Sequence, residues 1–242
     1  MLRFSRIEAK ERPTMNSEMT EYTNVGMTTK ERQVYCQIKE AILKNEFKPG
    51  TVLVERRLSE IYNVSRSPVR YALRQLAKEG LLTDEPGKGI IVPVYTLEDI
   101  LEVYDLLEVL QVYAIQVSLK NYDLITDATL GQILEQQKKA SKDDDMLKRS
   151  DWDVKFHEFM IHHVSNKRLD MMFELLVNQK RRFDLTSFND EEHGELSNAQ
   201  HEKIYQAILD RDVDRCVDAI KEHLQYIKQY YINKLVTGRY NL

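Results

Sequence analysis

Apolar residues recur at helical spacing along most of the chain, and the interruptions divide it into two kinds of segment. Val34, Ile38, Ala41 and Ile42 fall three or four apart and predict a helix from a cap at Thr28 or Thr29 to about Glu46. Phe47-Lys48-Pro49-Gly50 stops it, because Pro49 disfavours helix at Lys48 and Gly50 permits a turn. Leu58, Ile61 and Tyr62 mark a short helix from about Glu55, and Asn63-Val64 marks a turn. Ser65 is a good N-cap for the helix that follows, and Pro68 lies in its first turn, where a missing N–H costs nothing. Val69, Leu73 and Leu76 form its buried stripe, and Gly80 ends it. Leu81 to Val94 alternates weakly around Pro86-Gly87-Lys88-Gly89 and predicts a two-stranded hairpin.

From Leu97 onward the pattern is helical throughout. Spans are predicted at 97–120, 124–142, 147–165, 168–187, 195–210 and 212–236. The breaks fall at Asn121-Tyr122-Asp123, Ser141 to Asp145, Ser165-Asn166 and Asn189 to Gly194. Short connections between long helices predict an antiparallel bundle. The expected fold is therefore mainly α. A winged helix-turn-helix spans 28–95, an antiparallel all-helical bundle spans 96–242, and residues 1–27 form a polar, flexible tail. Met15, Met19 and Met27 leave the start of translation open.

Composition fits this picture and removes some alternatives. Hydrophobic residues make up 42% and charged residues 31%, with 8 Gly and 5 Pro in 242 residues, which suits long helices rather than many tight turns. No run of 18 apolar residues predicts a membrane span, and the N-terminus lacks the apolar stretch of a secretory signal. The two cysteines, Cys36 and Cys216, have no ligand spacing and are expected as buried, reduced thiols of a cytoplasmic protein. The formal charge of −4 divides unevenly. Residues 30–90 carry 12 Lys and Arg against 8 Asp and Glu, whereas residues 91–242 carry 19 against 27. A basic segment thus precedes an acidic one, and the basic segment holds the helix-turn-helix pattern.

In such a motif the second helix enters the major groove with its N-terminal residues towards the bases. Arg66 and Arg70 share one face, and Arg74 continues it. Arginine can grip guanine O6 and N7 through two hydrogen bonds, and Ser65 and Ser67 can reach phosphates. The Gly87-Lys88-Gly89 tip allows close approach to a groove, with Lys88 reaching phosphate or minor groove. The run VYCQIKEAILKNEFKPGTVLVERRLSEIYNVSRSPVRYALRQLAKEGLL resembles the GntR family of bacterial regulators, most specifically in VSRSPVR and the KPG turn. The resemblance covers about residues 28–95. It implies that Arg56, Arg66 and Arg70 contact double-stranded DNA, that Gly87 and Lys88 lie in the wing, and that the protein acts as a homodimer on a near-palindromic operator.

All six histidines lie in the bundle segment. Asp153 and His157 are four apart, on the face that carries Met160 and Val164. His201 points inwards beside Ile204 and Ile208, and His223 beside Ile220 and Ile227. Inward polar groups need partners, either hydrogen bonds within the core or a metal ion held by imidazole and carboxylate donors. DWDVKFHEFM and the later VSNKRL resemble the FCD branch of the GntR regulators. That resemblance implies that Asp153, His157, His201 and His223 hold a divalent metal, Zn or Ni, and that a small-molecule effector, an organic acid or other metabolite, binds there. On this reading metal affinity falls through the imidazole range, near ~6.5. His162, His163 and His193 match nothing in the branch and are expected at the surface. One departure stands out: Leu107 and Gln111 replace an Arg and a Glu common in the branch. Lys142 to Asp145 is expected as a solvated acidic loop.

Two other functions compete with an effector-controlled regulator. The ion could itself be the signal, or the centre could activate water as a metalloenzyme. Against an enzyme, Glu158, Glu202 and Glu222 each adjoin a ligand by one residue, so a 100° helical step points them away from it.

Overall fold

The computed structural model describes residues 27–143, 146–184 and 191–237. Residues 1–26, which hold almost all of the expected tail, lie outside them, as do Asp144 and Asp145 of the acidic loop. Two hydrophobic clusters organise what is described.

The first cluster is built by α1 (Thr29–Leu43), α2 (Glu55–Ile61), α3 (Arg66–Lys78) and a hairpin of β1 (Thr83–Glu85) and β2 (Gly89–Ile91). Thr28 caps α1 in a reciprocal box with Glu31. The helix ends earlier than the predicted Glu46, because Asn45 adopts a left-handed conformation (φ 57°) that asparagine tolerates and a helix does not. Val34, Ile38 and Ile42 of α1 pack with Val69, Leu73 and Leu76 of α3. Ser65 stands at the N-cap of α3 but makes no capping hydrogen bond with its side chain. The strands pair antiparallel, Thr83 opposite Ile91 and Glu85 opposite Gly89, as the alternation predicts.

The second cluster is the bundle of α4 (Leu97–Ser118), α5 (Leu124–Lys142), α6 (Met146–His162), α7 (Lys167–Asp184), α8 (Glu191–Leu209) and α9 (Val213–Val236). A single 3-10 turn, Leu119–Asn121, follows α4. Helix α4 packs on α9, α7 and α6, while α5 packs on α6 and α8. Tyr104, Phe156, Phe173 and Tyr231 are the largest buried side chains here. Arg211 ties the α8–α9 corner to α5: its guanidinium donates to both carboxylate oxygens of Asp127, at 2.9 and 2.8 Å, and to the Tyr122 carbonyl at 3.1 Å. Helix α8 starts at Glu191 and so takes in part of the break predicted at Asn189 to Gly194. Gly194 lies within the helix, against the Arg149 guanidinium, where a side chain would collide.

The two clusters meet at the end of α3. Gly80, with φ 74°, turns the chain there, and a Cβ on it would lie 3.1 Å from both Leu175 Cδ1 and Gln179 Nε2 of α7. Beside it the buried Glu79 accepts hydrogen bonds from Tyr35 (2.6 Å) and Lys39 (3.2 Å) of α1, and Gln75 donates to its other oxygen. Burial raises the Glu174 carboxyl of α7 above its ordinary range, and the nearby Glu79 charge adds to this. No helix among the described residues is long and apolar enough to cross a membrane. Of the two cysteines, Cys216 is buried as expected, but Cys36 is exposed, because it sits one helical step round from the inward Tyr35.

Gly80→Ala puts a side chain into a left-handed backbone and against α7. We expect a loss of roughly 1–2 kcal/mol from the backbone alone. Urea unfolding monitored by circular dichroism should show a lower midpoint.

Candidate metal centre and nucleic-acid interface

Helices α6, α8 and α9 each bring one imidazole to a common point in the bundle. The Nε2 atoms of His157 and His201 lie 3.1 Å apart, and those of His201 and His223 lie 3.2 Å apart. All three rings are buried. Phe156 packs against His201 with ring centroids 4.8 Å apart and helps exclude water.

The opposite edge of each ring fixes its tautomer. His157 Nδ1 lies 2.6 Å from Gln111 Oε1, His201 Nδ1 lies 3.1 Å from Gln137 Oε1, and His223 Nδ1 lies 3.0 Å from Gln200 Oε1. An amide oxygen only accepts, so each Nδ1 carries the proton. The orientation of Gln137 is itself set, because its Nε2 donates to Asp153 Oδ1 at 3.3 Å. Each Nε2 therefore presents a lone pair, and three lone pairs converge with no proton between them. Burial, first of all, lowers the pKa of His157 and of His201 to about 3, and that of His223 well below its ordinary value, so adding protons is no remedy. A divalent cation removes the repulsion. At a metal–nitrogen distance of about 2.0–2.1 Å, ligand nitrogens sit about 2.9–3.3 Å apart in octahedral to tetrahedral geometry, which brackets the observed spacing. The residues present thus fit a metal ion.

Asp153 lies one turn before His157, with Oδ1 3.6 Å from His201 Nε2. Its other oxygen accepts a 2.7 Å hydrogen bond from the buried Lys180 of α7. Burial favours the neutral acid, but Lys180 and the imidazoles outweigh it and hold the carboxyl well below its usual range. The four residues singled out from sequence are brought together, with Asp153 shared between the centre and an ion pair.

Sequence reasoning passed over the second row of groups. Gln111 was noted only as a departure from the branch; it is buried and holds His157, while Leu107 beside it is buried among apolar side chains. Gln137, Gln200 and Lys180 carried one available signal, a polar residue on an inward face, as where Lys180 continues the buried stripe of Phe173 and Val177. The expected surface positions of the other histidines need correction. His162 is exposed, but His163 is half-buried against Tyr122 and Phe159. His193 is buried, stacked 3.7 Å from the Tyr230 ring, because α8 begins early enough to carry it under α9. Glu202 and Glu222 point away from the centre, to Lys138 and Lys203. Glu158 is turned towards His162 and Arg181 rather than the centre, and burial raises its carboxyl to about 7.

At the other end of the molecule, Ser65, Arg66, Ser67 and Arg70 are exposed along the first turns of α3, with Arg56 exposed on α2. Arg66 is presented outward. Arg70 is engaged: its Nε and one terminal nitrogen donate to the two oxygens of Glu55, both at 2.8 Å. Arg56 lies 3.9 Å from Glu60, a loose pair. Gly87 and Gly89 take positive φ at the wing tip (81° and 91°), and Lys88 between them donates to Glu85 at 2.7 Å. An open cleft of about 340 Å³ separates the wing from α2 and α3, with Arg74 and Lys88 on its walls.

Comparisons with known proteins match both halves. The family described as "Bacterial regulatory proteins, gntR family" matches residues 30–92, and the FCD domain matches residues 102–226. The chain is 27% identical to the HTH-type transcriptional repressor RspR of Escherichia coli (strain K12), over 82% of this chain and 87% of that one. It is 29% identical to the gluconate operon transcriptional repressor of Bacillus licheniformis, over 81% and 82%. A GntR transcriptional regulator from Rhodococcus sp. RHA1 has the same fold, with a TM-score of 0.72 at 22% identity, covering 88% of this chain and all of that one. The matched families and relatives are transcriptional regulators and not enzymes. The chain belongs to the GntR family of bacterial DNA-binding transcriptional regulators, in the group that carries an FCD domain.

Proposed function

We propose that this regulator is a repressor whose operator binding is set by a small-molecule effector at a divalent metal ion held by Asp153, His157, His201 and His223. The observation that carries the reading is the convergence of three buried, deprotonated Nε2 atoms, each backed by a glutamine oxygen. Nitrogen-rich ligation suits Zn2+ or Ni2+. When bound, the ion offers open positions to an oxygen donor; the chain's residues orient the rings and exclude water. Its relatives named as repressors support the direction of control. The exposed stripe of Leu106, Val109 and Tyr113 on α4, at helical spacing, supports pairing with a second copy. Two copies would present two α3 helices to the half-sites of a near-palindromic operator.

On DNA, Arg66 is the residue best placed to read a base, with Ser65, Ser67, Arg56 and the Gly87-Lys88 tip on the backbone. Arg70, tied to Glu55, fixes α3 against α2 and must exchange that partner to reach a base. An operator can be obtained by selection from random duplexes. Arg66→Ala should then weaken specific binding by about 1–3 kcal/mol and relax one base position. Lys88→Ala should weaken all duplexes alike and make the salt dependence shallower. Equal affinity of wild type and Arg66→Ala for the selected site would refute the assignment.

The metal reading has its own test. In the metal-free protein His157 and His201 titrate near 3, against about 6.5 when unfolded. Between those values the unfolded chain binds more protons. Stability is therefore full above about pH 6.5 and falls as pH drops through the window. Because the folded rings are already neutral, metal should stay bound at pH 5 and leave only nearer pH 3–4, lower than an ordinary imidazole would allow. Dialysis at stepped pH followed by elemental analysis measures this. His201→Ala should lose the metal and the chelator-sensitive part of the melting temperature, while the circular dichroism of the helices persists. Full metal content in that variant would make His201 an ordinary core histidine.

A further inference from the structure

Arg70 cannot serve DNA and Glu55 at once. Its Nε and one terminal nitrogen hold the two carboxylate oxygens, both at 2.8 Å. Turning that fork to a base breaks both hydrogen bonds and leaves a partly exposed carboxylate beside an incoming polyanion. The bare charge repels the phosphates unless another cation covers it. That cation is within reach. Arg74 lies one turn on from Arg70, on the same face of α3. Arg74 and Glu55 line the same open cleft of about 340 Å³ beside the wing. Hydrogen bonds from Arg70 are the main reason the Glu55 carboxyl lies below its ordinary range, and the charges of Arg74 and Arg66 act in the same direction. The Arg74 side chain is exposed and, among the described residues, makes no ion pair or hydrogen bond. Arg66 precedes Arg70, at the end of α3 that meets the bases, whereas Arg74 follows it. Of the other charged groups on the cleft, Lys88 is held by Glu85 at 2.7 Å and Asp84 has the wrong sign.

We propose that Arg74 is the stand-in partner of Glu55: as Arg70 turns to the duplex, the Arg74 guanidinium swings onto the carboxylate that Arg70 leaves. One ion pair breaks and one forms. Exposed pairs are individually weak, so the exchange costs little, whereas releasing Arg70 with no replacement costs the whole bidentate pair. Glu55 stays neutralised in front of the phosphates, and α3 stays tied to α2 through the next turn. Arg74 is thus a positioning residue, acting on DNA through Glu55 and Arg70 rather than by touching a base. The exchange rests on the reading above that Arg70 gives up Glu55 to reach a base.

The test measures affinity of the full-length protein for two duplexes, the operator selected from random sequences and a random-sequence control, and reads the ratio as operator preference. Arg74→Ala should lower that preference about fivefold, and Arg74→Lys, which keeps the charge, should recover most of it. In a Glu55→Gln background there is no carboxylate to cover, so adding Arg74→Ala should change the preference by less than about twofold. Circular dichroism checks that each variant is folded; should Arg74→Ala fold poorly, Arg74→Gln keeps the apolar stem and gives the same comparison. The same loss with and without Glu55 overturns the exchange and makes Arg74 a base contact in its own right. Equal weakening on both duplexes, with a shallower salt dependence, also overturns it and makes Arg74 a phosphate contact. No change at all on either duplex overturns it as well. Arg70→Ala tests the underlying reading separately: an unaltered operator preference there removes the base contact of Arg70 and the exchange with it.

Discussion

Three imidazole lone pairs pointed at one another are the constraint around which the bundle is built. Without a cation they repel, and burial denies them protons. The helices that carry them are nevertheless held in place from outside the ring. Each Nδ1–H is used by a glutamine from another position, and Gln137 is in turn oriented by Asp153. The result is a preorganised set of donors. The cost of assembling it is met by the packing of Phe156, Phe173, Tyr104 and Tyr231 and by ties such as Arg211 to Asp127. A divalent ion at this site would be coordinated without reorganising its ligands, which is how outer hydrogen bonds tune a metal centre.

Lys180 and Asp153 add a second constraint of the opposite kind. A buried ion pair is seldom retained for stability, since an apolar pair of similar size does as well. Here it keeps the carboxylate ionised next to the histidines and keeps a positive charge at the edge of a small cavity beside the centre. Phe173, Val177 and Lys180 on the wall of that cavity lie on α7, and α7 also touches the DNA-binding half. The physical continuity is short: cavity wall on one face, Leu175 and Gln179 against Gly80 on the other. A rigid helix between two sites can bias one by occupancy of the other, provided the ligand prefers one of its positions.

The DNA-reading surface follows the same economy. Arg70 is committed to Glu55 with both ends of its fork, which ties α3 to α2 and leaves Arg66 as the outward arginine at the N-terminal end of the row, with Arg74 further along beside the wing cleft. An exposed ion pair contributes little to stability in general, and the bidentate geometry is the case in which it contributes most. Its larger effect is geometric, since it decides which guanidinium is presented and which must first let go of a carboxylate.

Much of this was written in the sequence. Apolar spacing gave the α-helices among the described residues and the hairpin, because one buried face per element leaves a period of 3.6 or 2 that needs no knowledge of neighbours. The same periodicity placed Asp153, His157, His201 and His223 inward, and their meeting was foreseen from the family resemblance rather than from spacing. What the period could not give is which inward residues share a point. Gln111 on α4, Gln137 on α5 and Lys180 on α7 are far from the histidines in sequence and join them only when α4, α5 and α7 close around α6. His193 was misjudged for a related reason: a helix start four residues earlier than predicted carried it under Tyr226 and Tyr230. Burial, tautomer and the pairing of Asp153 with Lys180 are properties of several elements at once, so the tertiary structure alone decided them.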